Sequence, residues 1–376
     1  RGMFAFALWD ARKQALLLAR DPFGIKPLYY SDNGRTFRFA SQVKALLAGG
    51  QVDTAPEPAG HAGFFLWGSV PEPWTLYRGI RSLPAGHCLW LSEKGAEPAA
   101  FSRIEEILAG AAANPAHGSK AEALEAIGCA VRDSVHAHLI ADVPVSMFLS
   151  AGLDSAMITA LATGQGERPH TVTLAFAEYV GRANDEAPLA EQLAAKFGTR
   201  HATLMVRRAD FEEDREKLLA AMDQPSIDGV NTWFVARAAA SQGIKVALSG
   251  VGGDELFASY PSFADLPRMV RLARPLSRLS GLGIGLRALS APLLSSLTSP
   301  KFASLVEYGG TLGGAYLLRR GLYLPWELPE VMDPDMARQG LEDLNTFASL
   351  NNPAHSLHLH STRLAISALE MGWYMR

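Results

Sequence analysis

Strand-like and helix-like segments alternate between residues 145 and 248, and this alternation restricts the fold more than any other feature of the chain. In chain order, the predicted elements are strand 145–149, helix 154–163, strand 171–176, helix 186–197, helix 231–242 and strand 245–248. Strands that alternate with helices pair in parallel. The pattern therefore predicts an α/β fold with a doubly wound parallel sheet, followed by a helical part beyond residue 265.

The first hundred residues have a different pattern, in which short β-favouring runs are separated by turn residues. The runs MFAFALWD and QALLLARD are joined by residues 11–13, which predicts a hairpin, and RTFRFAS and HCLWLSE add two strands. Residues 1–103 are therefore predicted to be mainly antiparallel β. Residues 104–118 are rich in Ala, Gly, Asn and Pro and are interpreted as a linker or weak helix. Residues 119–376 are then the second domain.

Two turns of small and acidic residues follow predicted strands and precede predicted helices. The first is Ser150-Ala151-Gly152-Leu153-Asp154-Ser155, and the second is Ser249-Gly250-Val251-Gly252-Gly253-Asp254-Glu255. Parallel sheets bind ligands beyond the carboxyl ends of their strands, and the free N–H groups of a helix N-terminus attract anions. Asp154 and Asp254 would repel a phosphate, but a Mg²⁺ ion between them would remove that conflict.

Each turn, taken by itself, is also compatible with an ordinary helix cap or glycine turn that binds nothing. Two such turns in one α/β region favour a phosphate site. Neither turn has the G-x-x-x-x-G-K-S/T spacing of a Walker loop, and no G-x-G-x-x-G motif is followed by a suitably placed acid. The pattern therefore indicates a nucleotide site of another type.

Composition and charge argue against several other classes of protein. The chain has 35 Lys and Arg and 38 Asp and Glu, a net charge of -3, so no overall attraction to nucleic acid or to an anionic membrane is expected. The apolar region 279–300 is interrupted by Arg287, glycines and a proline and is not expected to span a membrane. Cys88 and Cys129 cannot form a disulfide framework, which indicates a reducing, cytoplasmic setting. Because the chain opens on Arg1, it is expected to be a piece of a longer protein.

The two turns also match motifs of a known family. FLSAGLDS resembles the S-G-G-x-D-S pyrophosphate loop of the N-type ATP pyrophosphatases, and LSGVGGDELFASY resembles a segment of glutamine-dependent asparagine synthetases. RGMFAFALWD, ARDPFGIKPLYY and FASQVKALL resemble the latter half of that family's class II glutamine amidotransferase domain. The resemblance covers nearly the whole chain. It implies a truncated amidotransferase domain followed by an ATP pyrophosphatase domain that is truncated at its C-terminal end.

The resemblance implies a role for each motif position. The residues implied to bind ATP are Leu149, Ser150, Gly152, Asp154, Ser155, Leu174, Ser249 and Gly250, and Asp154 and Asp254 are implied to bind Mg²⁺. In the family's reaction a carboxylate attacks the α-phosphate of ATP, pyrophosphate leaves, and ammonia from glutamine replaces the adenylate. The expected function is that of a glutamine-hydrolysing asparagine synthase, with ATP, aspartate and glutamine or ammonia as ligands. A homodimer is one expected assembly.

Departures from the family pattern keep other functions open. Neither Cys88 nor Cys129 matches the family's cysteine nucleophile, and the family's later lysine would follow Arg376, so no catalytic residue is assignable in this chain. Val251 replaces a glutamate that serves amidation, and Ala151 replaces a glycine. The same adenylating chemistry on another carboxylate, in a peptide or a sugar, is therefore a second hypothesis. A non-catalytic nucleotide-binding protein is a third.

Three further groups of residues have weaker signals. Asp223 and Asp228 occupy a loop that the resemblance places near the substrate, although aspartates also suit ordinary turns. Four arginines recur at helical spacing, which predicts a solvated helix face or a docking surface for a partner subunit. They are Arg268, Arg271, Arg274 and Arg278. The remaining group lacks the spacing of a zinc site and consists of His355, His358 and His360.

Overall fold

The computed structural model describes residues 2–93, 95–115, 118–164, 168–277, 281–294, 300–351 and 361–375. Arg278 and the histidines His355, His358 and His360 lie outside the described residues. The chain forms two compact units. The first comprises Arg1–Asn114, Asp223–Ile227 and Ala258–Arg376, and the second comprises Pro115–Met222 and Asp228–Phe257. The linear division of the chain at residues 103 and 118 stays a prediction.

The strands of the first unit form two antiparallel sheets. They are β1 (Ala5–Asp10), β2 (Ala15–Arg20), β3 (Tyr29–Asp32), β4 (Phe37–Ala40), β5 (Arg81–Ser82), β6 (His87–Ser92) and β7 (Gly95–Ala100). One sheet has the order β1-β2-β6-β7 and the other has the order β4-β3-β5. The predicted hairpin is confirmed, because Asp10 pairs with Ala15 across the turn. Leu18, Leu83 and Leu89 form the core beneath these strands.

The strands of the second unit form one parallel sheet, as the alternating pattern predicts. They are β8 (Val145–Phe148), β9 (His170–Phe176), β10 (Arg200–Val206) and β11 (Val246–Leu248), in the order β10-β9-β8-β11. The chain moves outward from β8 to β9 to β10 and then returns to the other side of β8. The strand order therefore reverses between β8 and β11, which is where open α/β sheets leave a crevice for ligands.

The described helices extend over both units. In chain order they are α1 (Val43–Ala48), α2 (Pro58–Trp67), α3 (Ile104–Ala113), α4 (Lys120–His138), α5 (Leu153–Thr163), α6 (Ala187–Phe197), α7 (Arg208–Ala221), α8 (Gly229–Ser241), α9 (Gly253–Phe257), α10 (Ser262–Ala273), α11 (Leu282–Leu294), α12 (Leu305–Tyr308), α13 (Leu312–Arg320), α14 (Leu328–Val331), α15 (Pro334–Leu344), α16 (Thr346–Leu350) and α17 (Thr362–Leu369). None of the described helices is both long and apolar enough to cross a bilayer. The helical part predicted beyond residue 265 is confirmed.

Several elements were not predicted, and each has a physical reason. Helix α2 buries residues around most of its circumference, so its sequence lacks the polar stripe that marks a surface helix. Gly60 permits this burial, because a Cβ there would lie 1.9 Å from the carbonyl oxygen of Thr75. Strand β10 and helix α7 are also absent from the prediction. The side of α7 that faces inward carries Asp214 beside Leu218, which breaks the apolar periodicity.

Candidate functional site

The crevice between β8 and β11 brings the two predicted turns together. Met147 of β8 pairs with Leu248 of β11 in parallel register, so both strands end at the same edge of the sheet. Residues 149–152 leave β8 and residues 249–252 leave β11 at this edge. The two turns that the sequence predicts as phosphate loops are therefore adjacent at the switch point of one sheet.

The first loop is held in shape by its own serines. The N–H of Ser150 donates to Oγ of Ser155 over 3.1 Å, and the N–H of Gly152 donates to Oγ of Ser150 over 3.1 Å. The two hydroxyl oxygens lie 3.0 Å apart, and Oγ of Ser155 also donates to the carbonyl of Gly152 over 3.1 Å. These bonds fix the loop by contacts within itself, so its backbone is arranged without help from a ligand.

Helix α5 begins at this loop and presents free amides. Gly152 is the residue before the helix, and no side chain caps the N-terminus. The N–H groups of Leu153, Asp154 and Ser155 donate to none of the residues that the structure describes. Free amides at the start of an eleven-residue helix, together with its dipole, form a site for an anion.

The second loop lies against Asp154 at two glycines. A Cβ on Gly253 would lie 2.3 Å from Oδ2 of Asp154, and a Cβ on Gly250 would lie 3.0 Å from Cβ of Asp154. The first distance is shorter than real side-chain contacts and the second is tighter than most of them, so a side chain at either position would force Asp154 to move. Gly252 has a φ of +103°, a backbone conformation that other residues rarely adopt. The sequence places Gly253 in the second turn without indicating a role for it, although two glycines before Asp254 are a signal for close backbone approach.

The two acidic residues interact electrostatically. Burial raises the pKa of the Asp154 carboxyl above its usual value, and the negative charge of Asp254 raises it further. Among the described residues, no group of three or more His, Cys, Asp or Glu side chains is arranged to hold a metal. Two carboxylates beside free amides fit Mg²⁺, because this ion takes one or two carboxylates and completes its shell with phosphate oxygens and water.

The other residues implied to bind ATP lie at or near the same edge. Leu149 is buried; its N–H donates to the carbonyl of Val172 over 3.0 Å, and its carbonyl accepts from Oγ1 of Thr173 over 2.5 Å. Leu174 lies within β9 and packs against the core formed with α7 and α8. Ser249 is exposed, and its Oγ accepts from the N–H of Val251 over 3.4 Å. The contact of Leu149 and Leu174 with an adenine ring stays a prediction.

Asp223 and Asp228 belong to different units of the structure. Asp223 belongs to the first unit, where its carboxylate accepts from the N–H groups of Val43 over 2.7 Å and Lys44 over 3.0 Å. It therefore caps the start of α1. Asp228 belongs to the second unit and precedes α8 without a side-chain cap bond. A substrate-binding role for either residue stays a prediction.

The alanine at position 151 of the first loop is accommodated. Ala151 is not among the described non-glycine residues with positive φ, so its methyl group causes no backbone strain. Val251 is 74% exposed and Leu153 is 87% exposed. Val251 follows Gly250, and Leu153 precedes Asp154. Gly250 and Asp154 are residues at which the two loops touch. The surface next to the two aspartates is therefore partly apolar.

Comparison with family models matches both parts of the chain. The model described as Asparagine synthase matches residues 126–368, and the model described as Glutamine amidotransferase domain matches residues 1–102. The first match includes both loops and all four strands of the parallel sheet. The second includes both antiparallel sheets.

Curated relatives extend over most of the chain. Asparagine synthetase (glutamine-hydrolyzing) 3 of Bacillus subtilis is 31% identical over 278 residues, which cover 70% of this chain and 44% of the relative. A putative asparagine synthetase (glutamine-hydrolyzing) of Mycobacterium tuberculosis is 36% identical over 291 residues, or 75% of this chain and 43% of the relative. The amidase chyE of Penicillium rubens is 30% identical over 297 residues, which cover 71% of this chain and 41% of the relative. The chain spans less than half the length of these relatives.

Proposed function

The chain belongs to the asparagine synthase family, and from this premise we propose that its two adjacent loops bind Mg-ATP and adenylate a carboxylate. The observation that carries the proposal is the contact of Gly250 and Gly253 with Asp154. This contact places the free amides of α5 beside two carboxylates at the switch point of the sheet. An anion site next to a cation site is what a magnesium-bound triphosphate requires.

Each residue of the site has a distinct task in this proposal. The amides of Leu153, Asp154 and Ser155 hold the pyrophosphate that leaves, and the bonds between Ser150 and Ser155 keep the loop in place. A Mg²⁺ ion held by Asp154 and Asp254 would neutralise charge on the leaving group. Because phosphoryl and adenylyl transfer need little covalent help from the protein, holding the α-phosphate in line with the carboxylate is the main contribution.

We take aspartate as the acceptor and glutamine-derived ammonia as the nucleophile that attacks the acyl-adenylate, forms the amide and displaces AMP. Two of the relatives are named glutamine-hydrolyzing asparagine synthetases, and the match to a glutamine amidotransferase domain over residues 1–102 is consistent with that nitrogen source. The site would then contribute one half of a two-step ligase reaction.

A second acceptor is favoured by one observation at the site. Val251 and Leu153 expose apolar side chains beside the two aspartates, and neither can hold a charged amino group. The relative from Penicillium rubens is named an amidase rather than an asparagine synthetase. Adenylation of a different carboxylate, on a peptide or another acid with an apolar part, is therefore the alternative.

Exchange of labelled pyrophosphate into ATP tests the proposal and separates the two acceptors. The full-length protein is incubated with Mg-ATP and with aspartate or one of a panel of other carboxylic acids. Exchange that depends on aspartate supports the first acceptor, and exchange with another acid supports the second. The absence of exchange with every acid would refute adenylation.

A matched pair of variants assigns the activity to the loops. Asp154→Asn should lower exchange by about a hundredfold or more, since removal of one charge-stabilising group typically has that effect. Asp142→Asn changes an exposed aspartate that precedes β8 and should leave exchange within about twofold of the wild type. Equal exchange rates in the two variants would remove Asp154 from the mechanism.

A further inference from the structure

Strand β9 carries two buried threonines on the same face of the parallel sheet. Thr171 is 0% exposed and Thr173 is 3% exposed, and a buried hydroxyl needs a hydrogen-bond partner. Oγ1 of Thr171 lies 2.8 Å from Oγ1 of Thr199 and 2.9 Å from Nδ1 of His201, which is on the side of β10. Oγ1 of Thr173 donates instead to the carbonyl of Leu149 over 2.5 Å. The second hydroxyl therefore acts on the segment that leaves β8.

The bond from Thr173 stands where a bond between backbones would otherwise continue the sheet. Pairing of β8 with β9 ends at Phe148 and Val172, and the N–H of Leu149 donates to the carbonyl of Val172 over 3.0 Å. In this register the carbonyl of Leu149 would next accept from the N–H of Leu174. The described residues form no such bond. Strand β8 therefore stops at this carbonyl, because a side chain binds it before the next amide of β9 can.

The direction of this carbonyl also sets the direction of the first amide of the loop. A peptide unit is planar and trans, so the carbonyl of Leu149 and the N–H of Ser150 point in opposite directions. That N–H donates to Oγ of Ser155 over 3.1 Å. The hydroxyl of Thr173, one rigid peptide and the side chain of Ser155 thus form a single chain of hydrogen bonds. It connects β9 to the first turn of α5.

Burial makes this chain sensitive to the loss of one hydroxyl. Leu149 is 2% exposed and Ser155 is 7% exposed, so water cannot readily replace a missing donor. Valine has the branched shape of threonine but donates no hydrogen bond, and it would leave the carbonyl of Leu149 without a partner. The donor that the parallel register offers to this carbonyl is the N–H of Leu174. Pairing with it would lengthen β8 and turn the N–H of Ser150 away from Ser155.

We propose that Thr173 is a positioning residue of the nucleotide site, which ends β8 at Leu149 and thereby aims the amides of the first loop at the phosphates. The internal bonds of the loop give the turn its shape, and Thr173 fixes that turn to the sheet. Its hydroxyl is engaged by the carbonyl of Leu149, so it acts through the loop and does not touch the nucleotide. The inference rests on the proposed function, since it concerns the loop that holds the pyrophosphate.

Amide hydrogen exchange in the free protein tests the strand end directly. Relative to the paired amide of Val172, the amide of Leu174 should exchange about tenfold more slowly in Thr173→Val than in the wild type, because it gains an acceptor. Thr173→Ser keeps the hydroxyl and should exchange as the wild type does. Thr173→Ala removes the hydroxyl with a smaller side chain and should behave as Thr173→Val does. Unchanged exchange at Leu174 in both the Val and the Ala variant would overturn the proposal.

Kinetics and phosphate binding test the consequence for the site in the full-length protein. In the pyrophosphate exchange assay, Thr173→Val should raise the KM of ATP about tenfold, as expected for the loss of about one hydrogen bond, and leave the KM of the carboxylic acid within about twofold. Thr173→Ser should restore the KM of ATP. Magnesium tripolyphosphate, which has no base or sugar, should also bind about tenfold more weakly to Thr173→Val. A loss confined to ATP would contradict an effect on the phosphate loop.

Thr171→Val provides the matched control. It removes an equally buried hydroxyl from the same face of β9, and it should lower the melting temperature but leave the KM of ATP within about twofold. Thermal unfolding should show all the variants folded. A wild type that binds neither ATP nor tripolyphosphate would refute the nucleotide site itself. Wild-type binding that Thr173→Val leaves intact, or that Thr171→Val weakens equally, would refute the role of Thr173 alone.

Discussion

Asp154 is the residue at which the two loops meet. Its carboxylate fills the space beside Gly253 that any other residue would need for its own side chain, and Asp254 is near enough to raise its pKa. Such a carboxylate is unfavourable in the free protein and becomes favourable when a cation binds. At the residue scale, ionised Asp154 therefore lowers the stability of the free protein, and a bound cation would remove that cost.

Replacing this carboxylate should stabilise the free protein. The pKa of Asp154 is raised in the folded state, so its ionisation disfavours folding as the pH rises through that value, and the cost is complete at neutral pH. Asp154→Asn should raise the Tm at pH 7 by about 1 °C, a small effect because the group is partly exposed to solvent. The gain should vanish at a pH below the ordinary pKa of aspartate. Calorimetry across this range would contradict the assignment if the wild type were the more stable protein at pH 7.

The close approach of the loops predicts the effect of a single methyl group. Gly253→Ala should destabilise the protein by about 1–3 kcal/mol, because the Cβ would clash with the Asp154 carboxylate, and Mg-ATP binding should weaken with it. Gly128→Ala is the matched control, since a Cβ at this position of α4 has nothing within 4 Å. It should stabilise by about 0.5–1 kcal/mol. Denaturant unfolding and nucleotide titration measure both effects, and equal outcomes for the two variants would exclude the clash.

At the scale of elements, the segment Asp223–Ile227 behaves unlike its neighbours in the sequence. Helices α7 and α8 on either side belong to the second unit, but this segment belongs to the first. Its attachments include the N–H of Leu76, which donates to Oε1 of Gln224 over 3.1 Å, and the N–H of Ile227, which donates to the carbonyl of Gly68 over 2.8 Å. The segment is thus a strap attached to the first unit along its length.

The strap provides a test between capping and substrate binding at Asp223. Asp223→Ala should cost about 0.5–2 kcal/mol in the free energy of unfolding, because the amides of Val43 and Lys44 lose their acceptor. Asp228→Ala should cost less, since the Asp228 side chain makes no cap bond. Urea unfolding gives the stabilities, and the exchange assay gives the KM of the acceptor. A raised KM with unchanged stability would instead assign Asp223 to the substrate.

At the scale of the whole molecule, one buried carboxylate joins segments that are far apart in the chain. Glu370 is completely buried and accepts from Oγ of Ser262 over 2.7 Å and from the hydroxyl of Tyr316 over 3.3 Å. Arg320 pairs with it at 2.9 Å, and its guanidinium carbon lies 4.6 Å from the ring centre of Tyr260 and 4.0 Å from that of Tyr374. This network fixes the helical part of the first unit in one arrangement.

Loss of this carboxylate should be severe. Glu370→Ala leaves the Arg320 charge without its partner and should lower the free energy of unfolding by about 3–5 kcal/mol. Glu342→Ala removes an exposed carboxylate 3.9 Å from Arg338 and should cost less than about 1 kcal/mol. Chemical unfolding of both variants compares the two ion pairs. Similar losses of unfolding free energy in the two variants would mean that the buried network stabilises the fold no more than a surface ion pair does.

Local patterns in the sequence determined the parts of this protein that depend on neighbouring residues. The first hairpin, the parallel strands β8, β9 and β11, and the two glycine-rich turns could be predicted because turn chemistry and apolar periodicity act over a few residues. Helix α2 and strand β10 could not be predicted, because their burial depends on the elements that pack against them from elsewhere in the chain. The family resemblance was also readable from the turns and is confirmed by the matches.

Only the tertiary structure decided which distant residues share a surface. The pairing of β8 with β11 joins segments roughly 100 residues apart, and no local pattern reports such a pairing. The same holds for Asp223, whose cap on a helix of the first unit joins residues about 180 positions apart in the chain. In each case the reason is that long-range packing, rather than local conformational preference, sets the outcome.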